Sequence, residues 1–281
     1  MAMLLKGAPV AAALNDRTKS RVEALRGRGI VPTLALVRAG ENDADIYYER
    51  GAMKRCAALG VEARSIVLRS DVSEAELIDR IQELNRDNTV HGVLLFRPLP
   101  RHISDERVRA VLPPEKDVDG ITDGSLAGVF TGSGRGFCPC TAESCTEILD
   151  FYNIDCTGKR AVVLGRSLVV GKPVSQLLLA KNATVTVCHT RTQDMPSITK
   201  QADIVVVAAG KMETIGAEYF KLGAVVIDVG IGWNEEKQKL CGDVRFDEAE
   251  PLVSAITPVP GGVGAVTTSV LVSHVVETAK K

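Results

Sequence analysis

The sequence lacks three features that would place it at once in a functional class. No uninterrupted apolar run reaches the roughly 18–20 residues that a membrane-spanning helix needs, so we expect no membrane insertion. Charge of one sign is not in excess, because 34 Lys and Arg residues balance 35 Asp and Glu residues. This balance excludes binding to nucleic acid or to a membrane surface through bulk charge. The four histidines include no pair at helical metal spacing, which excludes HExxH-type zinc chemistry.

The seven cysteines are odd in number and scattered, so they do not indicate a disulfide framework. Cys138, Cys140 and Cys145 cluster, but no histidine or second cysteine pair lies at zinc-finger spacing, and we expect no bound metal. The N-terminal segment has no basic region ahead of its apolar part, and Lys6 interrupts it. We therefore expect a first strand or helix rather than a signal peptide, and a cytoplasmic protein with reduced thiols.

Hydrophobic periodicity predicts alternating helices and strands in the first half of the chain. Helices are predicted at about residues 8–27, in DADIYYERGAMKRCAALG and in SEAELIDRIQELNRD, which opens with the capping-box pattern Ser73-x-x-Glu76. Strands are predicted in IVPTLALVRAG, in VEARSIVLR and at the start of TVHGVLLFRPLP. Three such β-then-α units indicate a parallel sheet that is covered on both faces.

Two loops rich in glycine, proline and charge, PPEKDVDG and GSGRGFCPCT, mark the passage to a second domain. Short β-branched runs follow, as in central parallel strands: KRAVVLG, ATVTVCH, ADIVVVAAG and GAVVIDVG, with a helix in KPVSQLLLAKN. ITPVPGGVGAV predicts a stiff loop. The last segment, TTSVLVSHVVETAKK, predicts a helix that returns to the first domain.

The strand that ends at Gly165 leads into a turn suited to phosphate. A helix begins near Gly171, with Pro173 in its first turn, where proline is tolerated. Such a strand–turn–helix places phosphates against free amide groups at a helix N-terminus. The spacing Gly165-x5-Gly171 is not GxGxxG, and any α/β protein needs glycines at such turns, so this turn by itself leaves nucleotide binding open.

The end of the next strand indicates which dinucleotide would fit. Enzymes that prefer NAD commonly carry Asp or Glu there, which accepts from the ribose hydroxyl. Here the strand ends in CHTRT, without a carboxylate. Arg166 on the first turn and Arg191 on the second can instead face a 2′-phosphate. This favours NADP over NAD, while a solvated surface role for Arg191 and a dual-cofactor enzyme stay open.

Eight stretches, in order over nearly the whole chain, together resemble the methylenetetrahydrofolate dehydrogenase/methenyltetrahydrofolate cyclohydrolase family. They are GENDADIYYERGAMK, GVLLFRPLP, PPEKDVDGIT, CPCT, VVLGRSLVVGKPV, ATVTVCHTRT, GAVVIDVGI and ITPVPGGVGAVT. The resemblance implies an α/β protein of two domains with a cleft between them, an N-terminal αβα domain with a parallel sheet and a C-terminal Rossmann-like domain. Residues 1–140, completed by the C-terminal helix 266–281, would bind tetrahydrofolate derivatives. Residues 141–265 would bind NADP, and the protein would be a homodimer.

The resemblance also implies roles for individual residues. Asp119, in KDVDG, matches the aspartate that holds the pterin ring, and a carboxylate suits that role because it accepts two hydrogen bonds from the pterin N–H groups. Tyr48 matches the tyrosine beside the folate, and both residues are candidate catalytic residues. The remaining matches are Pro260, Gly261, Gly264 and Thr267 in the loop that lines the cleft, and Gly165, Arg166, Ser167, Thr190 and Ile231 at the dinucleotide. Turn geometry by itself also explains the glycines.

Two departures from the family pattern bear on the cyclohydrolase reaction. Members with both activities typically carry Tyr-x-x-x-Lys on one helix face, but the position four residues after Tyr48 is Ala52. Their GxLVQLPLP segment has a glutamine that can hydrogen-bond the lysine, whereas here Phe96 takes that position and can fill the space left at the folate site. Lys54 should lie roughly 120° around the helix from Tyr48 and about 9 Å along it, so we expect it to be solvated.

Smaller departures are Ala265 and Val266 in the cleft loop, where the family has GGVGPMT, and Ala142, where it has PCTP. They bear on the pose and affinity of the folate.

The sequence therefore predicts an NADP-dependent 5,10-methylenetetrahydrofolate dehydrogenase with weak or absent cyclohydrolase activity. Hydride transfer needs positioning and electrostatics but no protein base, whereas attack of water on the product cation benefits from an acid–base group. One alternative is a bifunctional enzyme that recruits Lys54, Tyr47 or Arg97. Others are a folate- or nucleotide-binding protein without turnover, and another two-domain dehydrogenase, such as one acting on a shikimate-like acid.

Overall fold

The structure, a computed structural model, describes residues 1–280. The chain forms two compact units, one of Ala13–Cys140 with the segment from Thr268 onward, the other of Met1–Ala12 with Thr141–Thr267. The helices, in chain order, are α1 (Gly7–Arg26), α2 (Asp43–Leu59), α3 (Glu74–Arg86), α4 (Asp105–Val111), α5 (Asp123–Thr131), α6 (Cys140–Phe151), α7 (Gly171–Ala180), α8 (Met195–Thr199), α9 (Phe246–Ala249) and α10 (Thr267–Thr278). The strands are β1 (Met3–Leu4), β2 (Thr33–Ala39), β3 (Glu62–Leu68), β4 (Gly92–Leu95), β5 (Arg160–Leu164), β6 (Thr184–Cys188), β7 (Ile204–Val207), β8 (Val225–Asp228), β9 (Gly232–Asn234), β10 (Lys239–Cys241) and β11 (Ala255–Ile256).

The unit that contains residues 13–140 is built on a three-stranded parallel sheet in the order β3-β2-β4. The central strand β2 aligns Thr33 with Glu62 of β3 and Leu34 with Gly92 of β4. Apolar side chains of β2 and β4 form one buried core with α3 and α4, whose members include Leu77. The predicted parallel sheet is therefore confirmed, with the largely buried strand β2 in its centre.

Polar caps fix the ends of α2 and α3. The side chain of Asn42 accepts hydrogen bonds from the first amides of α2, and Gly60 ends that helix in the left-handed conformation. The hydroxyl of Ser73 accepts from the amide of Glu76 at 3.2 Å, which confirms the predicted start of α3. Because the caps set where α2 begins, they also set which of its residues face the sheet.

The other unit contains a six-stranded parallel sheet in the order β1-β11-β8-β7-β5-β6. The strands β5, β7 and β8 are β-branched and buried, as predicted for central strands. After β5 the chain adds β6 on one side and then returns to add β7 on the other side of β5. This reversal is the doubly wound arrangement of a Rossmann-like fold, and it places a crevice at the carboxyl ends of these strands.

The prediction that the first twelve residues belong with residues 13–140 is wrong. Met3 pairs with Ala255 in the strand pair β1–β11, so β1 forms the edge of the six-stranded sheet. The amide of Gly7 also donates to the carbonyl of Gly261 at 2.8 Å, and Leu5 is fully buried. Backbone pairing and burial of Leu5 thus hold the N-terminal segment in that unit.

The last helix, α10, groups from Thr268 onward with residues 13–140. The segment predicted as a stiff loop, ITPVPGGVGAV, includes Ile256 of the short edge strand β11 and a 3₁₀ turn at Val263–Ala265. No disulfide joins the seven cysteines, and all of them are buried. Among residues 1–280, none of the helices combines the length and the apolar character required to cross a bilayer.

Candidate functional site

A cavity of about 550 Å³ lies in the Rossmann-like unit, at the carboxyl ends of β5, β6 and β7. Its walls come from the turns that follow these three strands, including Gly165, Thr190 and Ala208. This is the crevice beside the reversal in strand order, where open parallel sheets bind ligands. Its volume lies within the range of cofactor pockets.

Close backbone approach requires glycine at both ends of the turn after β5. A Cβ on Gly165, whose φ is +128°, would lie 2.3 Å from the carbonyl oxygen of Ala208. A Cβ on Gly171 would lie 2.2 Å from the carbonyl oxygen of Gly165. The amide of Gly165 also donates to the carbonyl of Cys188 at 2.9 Å, which joins the turn to the end of β6. Packing therefore accounts for both glycines whatever ligand the cavity holds.

Ser167 organises the same turn. Its Oγ accepts hydrogen bonds from the amides of Val170 at 3.1 Å and Gly171 at 3.4 Å, at the start of α7. Arg166 lines the cavity beside it, and Lys211, which follows β7, lines it too. No carboxylate is found among the described residues of the cavity wall. The wall is therefore electropositive, as the phosphates of a dinucleotide require.

The turn after β6 is closed by its own side chains. The amide of His189 donates to Oγ1 of Thr192 at 2.9 Å, and the amide of Arg191 donates to Nδ1 of His189 at 3.2 Å. Thr190 lines the cavity, but Arg191 is exposed and is not part of its wall. Ile231, which follows β8, has 62% of its surface exposed and is also not part of the wall. Their contacts with a cofactor stay predictions.

Sequence reasoning missed several residues of the wall, among them His189, Lys211 and Tyr219. Two of these residues could have been found from their positions in the sequence. His189 and Lys211 come within a few residues of the ends of β6 and β7, and the carboxyl ends of parallel strands meet at one edge of the sheet. Tyr219 lies in a separate 3₁₀ turn, Ala217–Tyr219, and had no such signal.

The second candidate site lies in the other unit, on the inner face of α2. Ala52 has no exposed surface, and Phe96 is 7% exposed. The ring of Phe96 meets the partly buried ring of Tyr48 edge to face, with centroids 6.1 Å apart. Lys54 is exposed, as predicted, and Tyr47 is 83% exposed. The structure therefore brings Tyr48 and Phe96 together and leaves Lys54 on the outer face of the helix.

A buried ion pair that the sequence did not reveal holds α2 on the sheet. The carboxylate of Glu49 accepts from Nε of Arg38 at 2.8 Å and from the hydroxyl of Ser65. Arg38 and Ser65 lie on the neighbouring strands β2 and β3. Breaking a buried pair of this kind costs about 3–5 kcal/mol, so these contacts fix the position of α2 and of Tyr48 beside Glu49.

The loop KDVDG is fixed by the buried carboxylate of Asp117. It accepts from the amides of Ile121 at 3.0 Å and Thr122 at 2.7 Å, and from the hydroxyl of Ser125 at 2.7 Å. The backbone of Asp117 also forms a parallel bridge with Val93 of β4. Two residues later, Asp119 is thus held at the edge of the sheet by an ordered loop.

Asp119 has an altered ionisation. Burial raises the pKa of its carboxyl to about 6, and the neighbouring Asp117 carboxylate adds to the rise. A hydrogen bond from Cys140 and the charges of His274 and Arg97 act in the opposite direction on this pKa. Near neutral pH the carboxylate is ionised and can accept hydrogen bonds.

Arg97, which follows Phe96, forms an ion pair within a network of carboxylates and arginines. Its Nε and Nη2 both bind Asp105, the latter at 2.8 Å. Asp105 also accepts from Arg109 at 2.8 Å, and Arg109 pairs with Asp123 at 2.9 Å. The bidentate pair fixes the orientation of the Arg97 guanidinium.

The predicted ligand loop lies in the Rossmann-like unit. Pro260, Gly261 and Gly264 are exposed, whereas Thr267 is buried and donates through Oγ1 to the carbonyl of Gly264 at 3.3 Å. Their contacts with folate stay predictions. Within residues 1–280, His, Cys, Asp and Glu side chains do not gather in any group of three that could hold a metal ion.

Comparison with known proteins covers both units. The family model described as "Tetrahydrofolate dehydrogenase/cyclohydrolase, catalytic domain" matches residues 5–119, and the one described as "Tetrahydrofolate dehydrogenase/cyclohydrolase, NAD(P)-binding domain" matches residues 139–281. The protein named "Bifunctional protein FolD" in Carboxydothermus hydrogenoformans is 48% identical, over 100% of this chain and 98% of that protein.

Two solved structures are similar over their whole length. The bifunctional FolD enzyme of Campylobacter jejuni has a TM-score of 0.97 and 37% identity, over 100% of this chain and 99% of that chain. The methylenetetrahydrofolate dehydrogenase-cyclohydrolase of Trypanosoma brucei, complexed with NADP cofactor and inhibitor, has a TM-score of 0.92 and 35% identity, over 99% of this chain and 97% of that chain.

Proposed function

Because this chain belongs to the tetrahydrofolate dehydrogenase/cyclohydrolase family, we propose that it is an NADP-dependent 5,10-methylenetetrahydrofolate dehydrogenase with weak or absent cyclohydrolase activity. One observation carries the proposal. Ala52, one helical turn after Tyr48, is fully buried, and the ring of the buried Phe96 packs edge to face on Tyr48. An aromatic ring at this place supports folate binding but cannot transfer protons to water.

The residues around the cavity after β5 suit NADP. The turn from Gly165 to Ser167 offers backbone amides, and Arg166 and Lys211 offer positive charge. The absence of a carboxylate from the described cavity wall supports NADP rather than NAD, because the 2′-phosphate would be repelled by one. When bound, this cofactor supplies the hydride acceptor. The protein contributes the binding and the orientation of the cofactor.

Asp119 and Tyr48 would hold the folate. The ionised Asp119 carboxylate accepts two hydrogen bonds from the pterin amino and ring N–H groups, which fixes the orientation of the ring. Tyr48, braced by Phe96, presents an aromatic surface beside it. Hydride loss from the methylene bridge leaves a cation shared by two nitrogens, so positioning by these residues is sufficient for the dehydrogenase reaction.

Hydrolysis of that cation has different requirements. Water must be activated and protons must move, which benefits from a group within hydrogen-bonding reach of the folate bridge. Lys54 and Tyr47 are on the exposed face of α2, and Arg97 is held by Asp105 through two nitrogens. These observations support weak hydrolysis, because two of the three side chains face solvent and the third is paired with a carboxylate.

Full bifunctionality is the second candidate, and the names of the relatives favour it. The Carboxydothermus hydrogenoformans and Campylobacter jejuni proteins are both named bifunctional, at 48% and 37% identity. In that case another side chain takes the place of the missing lysine, and Arg97, whose charge lowers the pKa of Asp119, is a candidate.

The dehydrogenase proposal is tested by mixing the purified protein with 5,10-methylenetetrahydrofolate and NADP, and then NAD. We expect many turnovers of cofactor reduction per protein molecule, faster with NADP, and a large loss of rate in Asp119→Asn. A protein that binds both ligands without reducing NADP would be a folate- or nucleotide-binding protein, and the proposal would be wrong.

We also propose a homodimer in the cytoplasm, with no nucleic-acid or membrane partner. Family resemblance supports the dimer, and the reduced thiols and balanced charge support the rest. Light scattering should give twice the 30.0 kDa mass of the chain. A mass equal to that of one chain at micromolar concentration would contradict the dimer.

A further inference from the structure

Two hydrogen-bond donors from different parts of the chain approach the carbonyl of Val118. This carbonyl belongs to the peptide group directly before Asp119. Nδ1 of His274, on α10, lies 2.8 Å from the carbonyl oxygen. Sγ of Cys140, at the start of α6, lies 3.3 Å from the same oxygen. The two donor atoms are 3.8 Å apart. The peptide that carries Asp119 is thus held from its carbonyl side.

The hydrogen bonds define which atom carries the proton. A carbonyl oxygen can only accept, so Nδ1 of His274 is protonated and donates to Val118. The thiol of Cys140 has a single hydrogen, and the carboxylate of Asp119 also attracts it. His274 is therefore the donor best placed to hold the Val118 carbonyl.

Packing fixes the imidazole in this orientation. His274 is 5% exposed, and the ring of Phe137 stacks on it with centroids 4.5 Å apart and an interplanar angle of 24°. A Cβ on Gly92 of β4 would lie 2.6 Å from the Val118 side chain, so the strand leaves just enough space for that side chain. Neither the ring nor the peptide can rotate without disturbing its neighbours.

We propose that His274 is a positioning residue for Asp119: its Nδ1–H fixes the Val118–Asp119 peptide plane and so aims the carboxylate at the pterin. This inference rests on the proposed role of Asp119 in folate binding. A carboxylate that accepts two parallel hydrogen bonds is sensitive to its orientation, because both bonds weaken when the group rotates. His274 itself touches neither folate nor cofactor in this role.

The test compares two nearly isosteric substitutions, His274→Asn and His274→Leu. Asparagine can donate from Nδ2 to the Val118 carbonyl, whereas leucine fills the space without a donor. We expect His274→Leu to raise the KM for 5,10-methylenetetrahydrofolate about tenfold, as for a lost hydrogen bond, and His274→Asn to stay within about twofold. The KM for NADP should not change in either variant.

A control on the same helix separates positioning from general loss of stability. Thr278, one turn beyond His274, donates to the carbonyl of Glu115 at 3.2 Å, four residues before Asp119. Thr278→Val should lower the melting temperature but leave the folate KM unchanged. If His274→Leu fails to fold, Cys140→Ala compared with Cys140→Ser removes the second donor to Val118 and should again raise the folate KM selectively.

Three results would overturn the inference: an unchanged folate KM in His274→Leu, an equal rise for NADP, or no difference between the asparagine and leucine variants. The variant Asp119→Asn shows whether the positioning role of His274 or the folate-binding role of Asp119 is wrong. If Asp119→Asn weakens folate binding and His274→Leu does not, only the positioning role is wrong. If Asp119→Asn leaves folate binding unchanged, the proposed role of Asp119 is wrong as well.

Discussion

The ring of Phe96 meets the ring of Tyr48 edge to face, with planes at 80°, in the unit where Ala52 is fully buried one helical turn away. This contact places an aromatic ring against Tyr48, from the sequence position at which the family carries the glutamine that can partner a lysine. An aromatic pair of this geometry contributes about 0.5–1.5 kcal/mol beyond its burial. The pair of rings therefore stabilises this part of the unit.

Introducing the family's lysine and glutamine should raise the rate of the cyclohydrolase reaction. In Ala52→Lys with Phe96→Gln, the amide can hydrogen-bond the lysine, and we expect hydrolysis of 5,10-methenyltetrahydrofolate to rise at least tenfold, in line with general acid–base catalysis. Ala52→Lys alone buries a charge without a partner and should lower the free energy of unfolding by about 3 kcal/mol. A double variant that folds, binds folate and gains no hydrolysis would show that the absence of this pair does not limit hydrolysis.

Asp119→Asn should weaken folate binding selectively. Asparagine accepts only one of the two pterin hydrogen bonds, and hydrogen bonds to a charged group contribute about 1.5–3 kcal/mol, so the folate KM should rise about 10- to 100-fold. The KM for NADP serves as the internal control and should not change. Equal effects on both ligands would indicate a damaged fold instead.

Folate affinity should depend on the ionisation of Asp119. Its pKa is raised to about 6, so the carboxylate proposed to accept the pterin hydrogen bonds is lost as pH falls through this value. Calorimetric titration with tetrahydrofolate should show affinity falling about tenfold per pH unit below 6, a dependence absent from Asp119→Asn.

The stability of the fold should respond to pH in the opposite sense. Because the pKa of Asp119 in the folded protein is above the ordinary 3.8, the contribution of this carboxyl to stability is present below pH 3.8. That contribution is lost as pH rises through about 6.

The choice of cofactor should depend on Arg166 more than on Arg191. Arg166 lines the cavity and Arg191 does not. We expect Arg166→Ala to lower kcat/KM for NADP about tenfold, as for one charge-assisted hydrogen bond, with little effect on NAD. Arg191→Ala is the matched control, and a larger effect from it than from Arg166→Ala would reverse the assignment.

Gly165→Ala should disrupt the cofactor cavity. The new Cβ would lie 2.3 Å from the carbonyl oxygen of Ala208, and the backbone at φ +128° disfavours any L side chain. We expect a loss of about 2 kcal/mol or more in the free energy of unfolding, together with weak NADP binding. Gly158→Ala is a control, because its φ is also positive, at +70°, but nothing lies within 4 Å of the added Cβ. Equal effects of the two substitutions would mean that backbone strain, not the contact with Ala208, sets the cost.

Local patterns were sufficient to predict most of the fold. The N-terminal cap of α3, the apolar run of β2 and the β-branched strands β5, β7 and β8 each act within a short segment, so the sequence shows them. The pairing of β1 with β11 could not be predicted, because a strand of two residues has no periodicity and its partner lies at the far end of the chain. The N-terminal segment was misplaced for this reason.

The residues of the two candidate sites also divide into those that the sequence could predict and those that it could not. The turn at Gly165 can be read from spacing, and the replacement at Ala52 from the resemblance to the family. The ion pair of Glu49 and Arg38 cannot, since a charged helix residue usually faces solvent and only the tertiary structure shows its burial. The contact of His274 with the Val118 carbonyl likewise joins distant segments.

The most direct test of a single-reaction enzyme is the loss of 5,10-methenyltetrahydrofolate absorbance without cofactor, measured on the same preparation that reduces NADP. We predict rapid NADP reduction together with a hydrolysis rate equal to that of buffer. Hydrolysis that increases in proportion to enzyme concentration would contradict the prediction, and another residue would then have replaced the lysine missing at Ala52.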